Sequence, residues 1–508
     1  MLRIKFSGGR QFRASKSASS PSAKPLPPMA KKTKHMKINF KISPALPFYL
    51  FAIGLFLIIV SPSLLSDGMF MDGLIYSTIA HNLSNGIGSF WNPHFTATCL
   101  TDFHEHPPLA FGIQSIFFTL FGESKYIDKF YSFMTFVVVG FIIVRICTIL
   151  KYKHGWVPLL FWLLTPLVIW ACSNNMLENT LSVFTSLSIL FYLKSQNGKK
   201  YFFIFLSGFM LTLGFLTKGF VAFFPWTFPF LLWLLLRQKS FRKMTVDSIV
   251  VCLFTIAPLV FLVILFPNAE LSLHKYIDIQ VINSIKNVTT IDSRFFIIKR
   301  LFSELIPAIS LFVLFIIWGW RKKFSLNLIK ANSKTALVFV LLGLTGVLPI
   351  MISMKQSGFY ILATFPFFAI GMGIIINPLI DFLYNNINYQ SKGFLFFKCI
   401  AIGIFFIGII LSIYFSNHIG RDRNKIKDTY KILSVLPEGS IINIYPNMWQ
   451  DWSLHGYFGR YKNVSLDPNI DNKREYLLIQ KNDYSATINQ DYKIIELQTT
   501  DYKLYKRK

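Results

Sequence analysis

SDGMFMDGLIYSTIAHNLSNGIGSFWNPHFTATCLTDFHEHPP, residues 66–108, is the stretch on which the reading of this chain turns. It follows directly on an apolar run at 46–65 and gathers Asp67, Asp72, His81, Asp102, His104, Glu105 and His106. Ionisable groups beside lipid-length segments are costly to desolvate and concentrate at functional sites. A loop this long without strand periodicity also needs a reason to exist. The stretch reads as the reaction site of a membrane enzyme.

The chain around it has 508 residues, 53% of them hydrophobic, with 54 Phe. The apolar residues fall in runs of roughly 17–23, long enough to cross a bilayer, which points to a polytopic helical membrane protein. Spans are expected at 46–65, 128–150, 156–172, 180–195, 200–216, 220–236, 246–266, 303–320, 334–353, 358–377 and 394–416. The stretch 109–121 (LAFGIQSIFFTLF) is short and fits an interfacial or re-entrant helix better than a crossing. If it does not cross, the basic loops Lys151–His154, Lys194–Lys200, Arg237–Lys243 and Arg321–Lys334 all share one side, as the positive-inside rule requires. About eleven spans follow, by that rule, with the N-terminus cytoplasmic and the C-terminus extracytoplasmic. Loops 66–127 and 267–302 and the tail then lie outside.

The net charge of +28 does not indicate nucleic-acid binding, because Lys and Arg cluster between spans. The five cysteines are scattered, without CxxC or metal-ligand spacing. Residues 1–45 are expected to be a basic, disordered cytoplasmic segment, followed by a transmembrane domain over 46–416. Within that segment, residues 1–35 also suit a targeting sequence or a start upstream of Met36. Residues 417–508 change character: a helix at 423–436 precedes short alternating strands at 440–446, 463–467, 474–480, 492–497 and 502–507. This tail is expected to form a small α/β or α+β extracytoplasmic domain.

Asp72 is a candidate general base at the start of a short helix, or else an N-cap. Asp67 is a rival, in a sequence that also suits a turn. His104-Glu105-His106 could bind a metal, hold a phosphate or move a proton. Phosphate is favoured, because Lys218, Lys355, Lys275, Lys286, Arg294, Lys299 and Arg300 fall on the same face. Glu178 lies on an outer turn, where it could position an acceptor. No Walker A loop, GxGxxG after a strand or GxSxG is present.

The segments MDGLIYSTIAHNLSNG (71–86), EHPPL (105–109), LFG (120–122), LTKG (216–219) and SMKQSGFYILATFP (353–366), in this order, resemble the GT-C-fold glycosyltransferases. The likeness is to the bacterial branch related to protein O-mannosyltransferases and the lipid A aminoarabinose transferase. It implies a GT-C-like membrane domain with outer-face juxtamembrane helices. It also implies inverting transfer of a hexosyl or pentosyl group from a polyprenyl-phosphate donor to a cell-envelope glycan, lipid or protein. By that resemblance Asp72 is the base, and His106, Lys218, Lys355 and Tyr360 bind the donor phosphate. Asp67, His104, Glu105 and Glu178 are supporting residues. Gly73 stands where relatives often carry a second acid. No cofactor is required by the sequence, and a divalent metal is left open. The bacterial plasma membrane is the expected location; a lipid-linked saccharide transporter or flippase, or a non-catalytic scaffold, is the competing reading.

Overall fold

The computed structural model describes residues 43–325, 327–483 and 490–508, so the basic segment 1–45 lies almost wholly outside it. Leu46–Leu64 (α1) leads to Met71–Ser84 (α2), a two-residue hairpin of β1 (Gly88–Ser89) and β2 (Asn92–Pro93), and Leu109–Phe121 (α3). Then come Ile127–Ile149 (α4), Trp156–Leu163 (α5), Pro166–Cys172 (α6), Leu177–Ser195 (α7) and Lys200–Lys218 (α8). Phe228–Leu236 (α9), Phe241–Leu265 (α10), Pro267–Tyr276 (α11), Asn283–Lys286 (α12) and Phe296–Arg321 (α13) follow. Asn327–Lys330 (α14), Ser333–Val347 (α15), Phe365–Asn385 (α16) and Lys392–Phe415 (α17) complete the helical part.

Among the described residues, eight helical stretches are long and apolar enough to cross a membrane, or up to nine if the bent pair α6–α7 is one span. The sequence reading of about eleven differs for a physical reason. Pro166 splits the expected span 156–172 into α5 and α6, and α6 meets α7 at 114°. The 37-residue stretch Lys200–Leu236 counts as one by length. Its start and the loop just beyond its end nevertheless come together: Lys200 and Lys239 both pair with the buried Asp247, at 2.6 and 2.5 Å. The stretch therefore goes out and returns, turning at Gly219.

α3 buries Ala110, Phe111, Gln114 and Phe118 while Ile116, Leu120 and Phe121 stay exposed, the one-sided pattern of a helix lying along an interface. The loop expected at 267–302 is largely helical, with a π-helical turn over Ile277–Ile282 between α11 and α12.

After α17 come α18 (Arg423–Leu433), α19 (Trp452–Lys462) and strands β3 (Ile441–Ile444), β4 (Ser465–Asp467), β5 (Tyr476–Gln480), β6 (Tyr492–Ile495) and β7 (Tyr502–Arg507). The sheet order is β4-β3-β5-β7-β6, with β3 parallel to β4 and β5, and β7 antiparallel to β5 and β6. Alternation of apolar residues marked every one of these strands; α19 was not anticipated. By contacts the tail is continuous with the helical part from Pro44 onward. Its attachment is polar and buried. Arg460 of α19 pairs with Asp128 of α4 at 3.2 Å and donates to Ser77 of α2 at 2.9 Å.

Candidate active site

The site is assembled from helix ends. α2 starts at Met71, and its cap residue Phe70 donates its N–H to Asn174 Oδ1 at 2.7 Å. A Cβ on Gly73 would stand 2.0 Å from the Asn174 carbonyl oxygen, so only glycine allows the first turn of α2 to press on the α6–α7 turn. That contact explains why no second acid follows Asp72. Asp72 lies in the first turn after the cap, so the capping alternative does not hold.

The same α6–α7 turn places Glu178 in the first turn of α7, facing Lys218 in the last turn of α8. The two are buried and joined as an ion pair, and Glu178 Oε2 has no hydrogen-bond partner among the described residues. The Lys218 ammonium also lies 5.0 Å from the Tyr360 ring centroid and 5.5 Å from that of Phe359. α8 stops there because Gly219 adopts φ +73, and any side chain on it would collide with the Tyr276 hydroxyl. The chain leaves in a 3-10 turn, Gly219–Thr227, whose Phe220, Val221 and Phe223 form an apolar wall.

Two cavities adjoin at this point. One, of about 240 Å³, is lined by Asp72, Tyr76, Glu105, Phe70 and Phe359 among others. The second, of about 500 Å³, runs between the 3-10 turns Gly219–Thr227 and Leu348–Ile352 and the π-helical turn, and most of its wall is apolar. His106, Lys218, Gln280, Lys355 and Tyr360 line both. They form a polar, cationic partition between an acidic chamber and a greasy one.

Burial sets the protonation of these groups. It pushes the Asp72 carboxyl up to about 6; Lys218 pulls it down, while Glu178 and Glu105 push further up. Burial also raises Glu105, against the pull of Lys355. His106 is held well below the usual imidazole value by burial and then by Lys218 and Lys355, and its Nδ1 has no hydrogen-bond partner among the described residues. Burial therefore favours the neutral imidazole at His106.

Other sequence candidates lie elsewhere. Asp67 accepts from the Tyr430 and Tyr461 hydroxyls and from the Gly68 N–H, which ties the tail to the end of α1. His104 bridges Ser272 (3.2 Å) and Asn92 (3.0 Å), away from the chamber that Glu105 and His106 face. Among the described residues no cluster of three or more His, Cys, Asp or Glu is placed to hold a metal ion. The expected gathering of basic groups from 267–302 is not seen. Lys275 faces Asp102, Arg300 pairs with Glu304, Arg294 bonds the Met351 and Ile352 carbonyls, and Lys286 and Lys299 line neither cavity. Glu178 pairs with Lys218. Gln280, which accepts from Lys355 at 3.0 Å, was missed, because its place on the π-helical turn has no sequence signal.

The fold is that of the GT-C glycosyltransferases. The family model described as dolichyl-phosphate-mannose-protein mannosyltransferase matches residues 105–265, a stretch that carries His106, Glu178 and Lys218. Among solved structures, the chain is similar to ArnT from Cupriavidus metallidurans in the apo state, with 14% identity, TM-score 0.62, and 91% of this chain and 98% of that one covered. ArnT bound to undecaprenyl phosphate matches at 13% identity and TM-score 0.63, with the same coverage. The oligosaccharyltransferase of Archaeoglobus fulgidus matches at 11% identity and TM-score 0.52, over 85% of this chain and 70% of its own. No curated protein matches by sequence.

Proposed function

We propose that this chain is an inverting glycosyltransferase that moves a sugar from a polyprenyl-phosphate donor to a cell-envelope acceptor at the outer face of the membrane. The observation that carries this is the shared partition: an apolar cavity and an acidic chamber meet at His106, Lys218, Lys355 and Tyr360. A lipid phosphate has one greasy end and one anionic end, and only the partition suits the junction between them. The similar ArnT structure with undecaprenyl phosphate bound supports the same class of donor.

In the reaction, the acceptor hydroxyl gives its proton to Asp72 as its oxygen attacks the anomeric carbon. The bond from that carbon to the phosphate oxygen breaks, and the polyprenyl phosphate departs with the electron pair. Lys218 and Lys355 stabilise the growing phosphate charge, and His106 donates a hydrogen bond from one ring nitrogen. Glu178 holds Lys218 against the partition. One displacement by one base inverts the configuration and needs no covalent enzyme intermediate. The transferred group is a hexosyl or pentosyl unit, and the acceptor is a glycan, a lipid or a protein.

Orientation follows from charge. Lys200 and Lys239 meet at Asp247, at the opposite end of α8 from Lys218. The positive-inside rule assigns that end to the cytoplasm, and so the chamber and the C-terminus to the outside of a bacterial plasma membrane.

The test is to incubate purified protein with a panel of radiolabelled polyprenyl-phosphate sugars and an acceptor extract, with Asp72→Asn alongside. Release of polyprenyl phosphate by the unaltered protein alone is expected. Turnover of none of these donors would return the weight to a transporter or scaffold.

A further inference from the structure

At the end of the helices opposite the active site there is a separate cavity of about 380 Å³. It lies where the last turns of α4, α7 and α9 meet the first turns of α10 and α15, at the level where spans leave the apolar layer. Its lining combines apolar residues, Leu232, Trp233, Leu236 and Phe339, with the cations Lys151 and Lys239. No Asp or Glu lines it among the described residues.

The charge around this cavity does not balance. Asp247 is the nearby acid, and it already meets two cations, Lys200 at 2.6 Å and Lys239 at 2.5 Å. One carboxylate between two ammonium groups leaves a surplus positive charge, and Lys151 adds another in the cavity lining. Lys151 is exposed, has a left-handed backbone with φ 65, and is among the residues that line the cavity. Arg237, stacked on Trp233 at 4.0 Å, adds a further cation beside it. Cations above an apolar wall at the edge of a bilayer match a phosphate that has acyl chains attached.

We infer that this cavity binds the headgroup of one anionic phospholipid from the leaflet opposite the active site. Lys151 and Lys239 meet the phosphate, and Leu232, Trp233 and Leu236 receive the start of an acyl chain. A free inorganic phosphate would leave that apolar wall unused. The site is independent of the donor cavity, which lies beyond Lys218 at the other end of α8.

The experiment uses the full-length protein in a neutral detergent, titrated with phosphatidylglycerol, phosphatidylcholine or inorganic phosphate, with retained ligand read by native mass spectrometry. One phosphatidylglycerol per chain should be retained in preference to phosphatidylcholine. Lys151→Gly should weaken that retention about tenfold, the scale of one lost charge-assisted contact. Glycine suits the left-handed turn, so this variant removes the cation without straining the fold. Lys239→Gln, as a second variant, should weaken retention in the same direction. Three results would overturn the proposal: equal retention of both lipids, retention unchanged in both variants, or retention lost on Lys355→Gln instead, which would place the lipid in the donor cavity. Displacement of the lipid by millimolar phosphate alone would also overturn the choice of a lipid.

Discussion

At the scale of single residues, two aspartates five positions apart have different fates. Asp72 faces the acidic chamber and Asp67 binds two tyrosines of the tail. Asp72→Asn should lower kcat by about 10²–10⁴, the range for loss of a general base, with melting temperature little changed. Asp67→Asn should do the reverse, lowering melting temperature while donor KM stays within about twofold, since it only weakens hydrogen bonds to a buried acid. A base must be ionised to accept a proton. With the Asp72 carboxyl raised to about 6, kcat/KM should fall as pH drops through that value, and an alkaline shift of the midpoint is expected when Lys218 is neutralised. His106→Ala should raise donor KM, whereas His104→Ala should be mild, because His104 bonds only Ser272 and Asn92. Sequence could not separate the two aspartates. The deciding tyrosines lie 363 and 394 positions further along the chain.

At the scale of elements, the site depends on helices that stop early. α8 ends at Lys218, α6 bends into α7, and two 3-10 turns replace helix at the apolar cavity. The apolar runs showed where helices lie, but the break at Pro166 falls inside the expected span 156–172 and was not read from them. The pairing of Glu178 with Lys218 was not legible, because it depends on how α7 packs along α8. Glu178→Gln should cost both stability and donor affinity: it leaves a buried ammonium without its counter-charge, a loss of about 3–5 kcal/mol for such pairs. A thermal melt and a donor titration on the same preparation check both. α19 was equally hidden in the sequence, yet it grips α2 through Arg460. Arg460→Met should lower kcat more than donor KM, because it frees the helix that carries Asp72 and leaves the cationic partition intact. Conservative Arg460→Lys should recover only part of the loss, since a lysine cannot reach Ser77, Asp128 and the Ser124 carbonyl together.

At the scale of the whole molecule, hydropathy carried much of the architecture. Alternation showed the strands of the tail, and the order of five short segments indicated the GT-C fold. That Asp72, His106, Lys218 and Lys355 converge followed only from the resemblance, and Gln280 beside them stayed hidden, since these residues come from separate segments and meet through packing. The partition they build has a kinetic consequence. Once the sugar has moved, the spent carrier still has its tail in the greasy chamber and its phosphate on two lysines, with nothing left to push it out. The bare carrier should therefore compete with fresh donor and slow the cycle. Steady-state rates measured with added polyprenyl phosphate should show competitive inhibition, relieved when Lys355 becomes Gln. In a cell, throughput would then follow how quickly carrier is cleared and recharged, so the membrane's traffic in lipid carriers would itself act as the throttle.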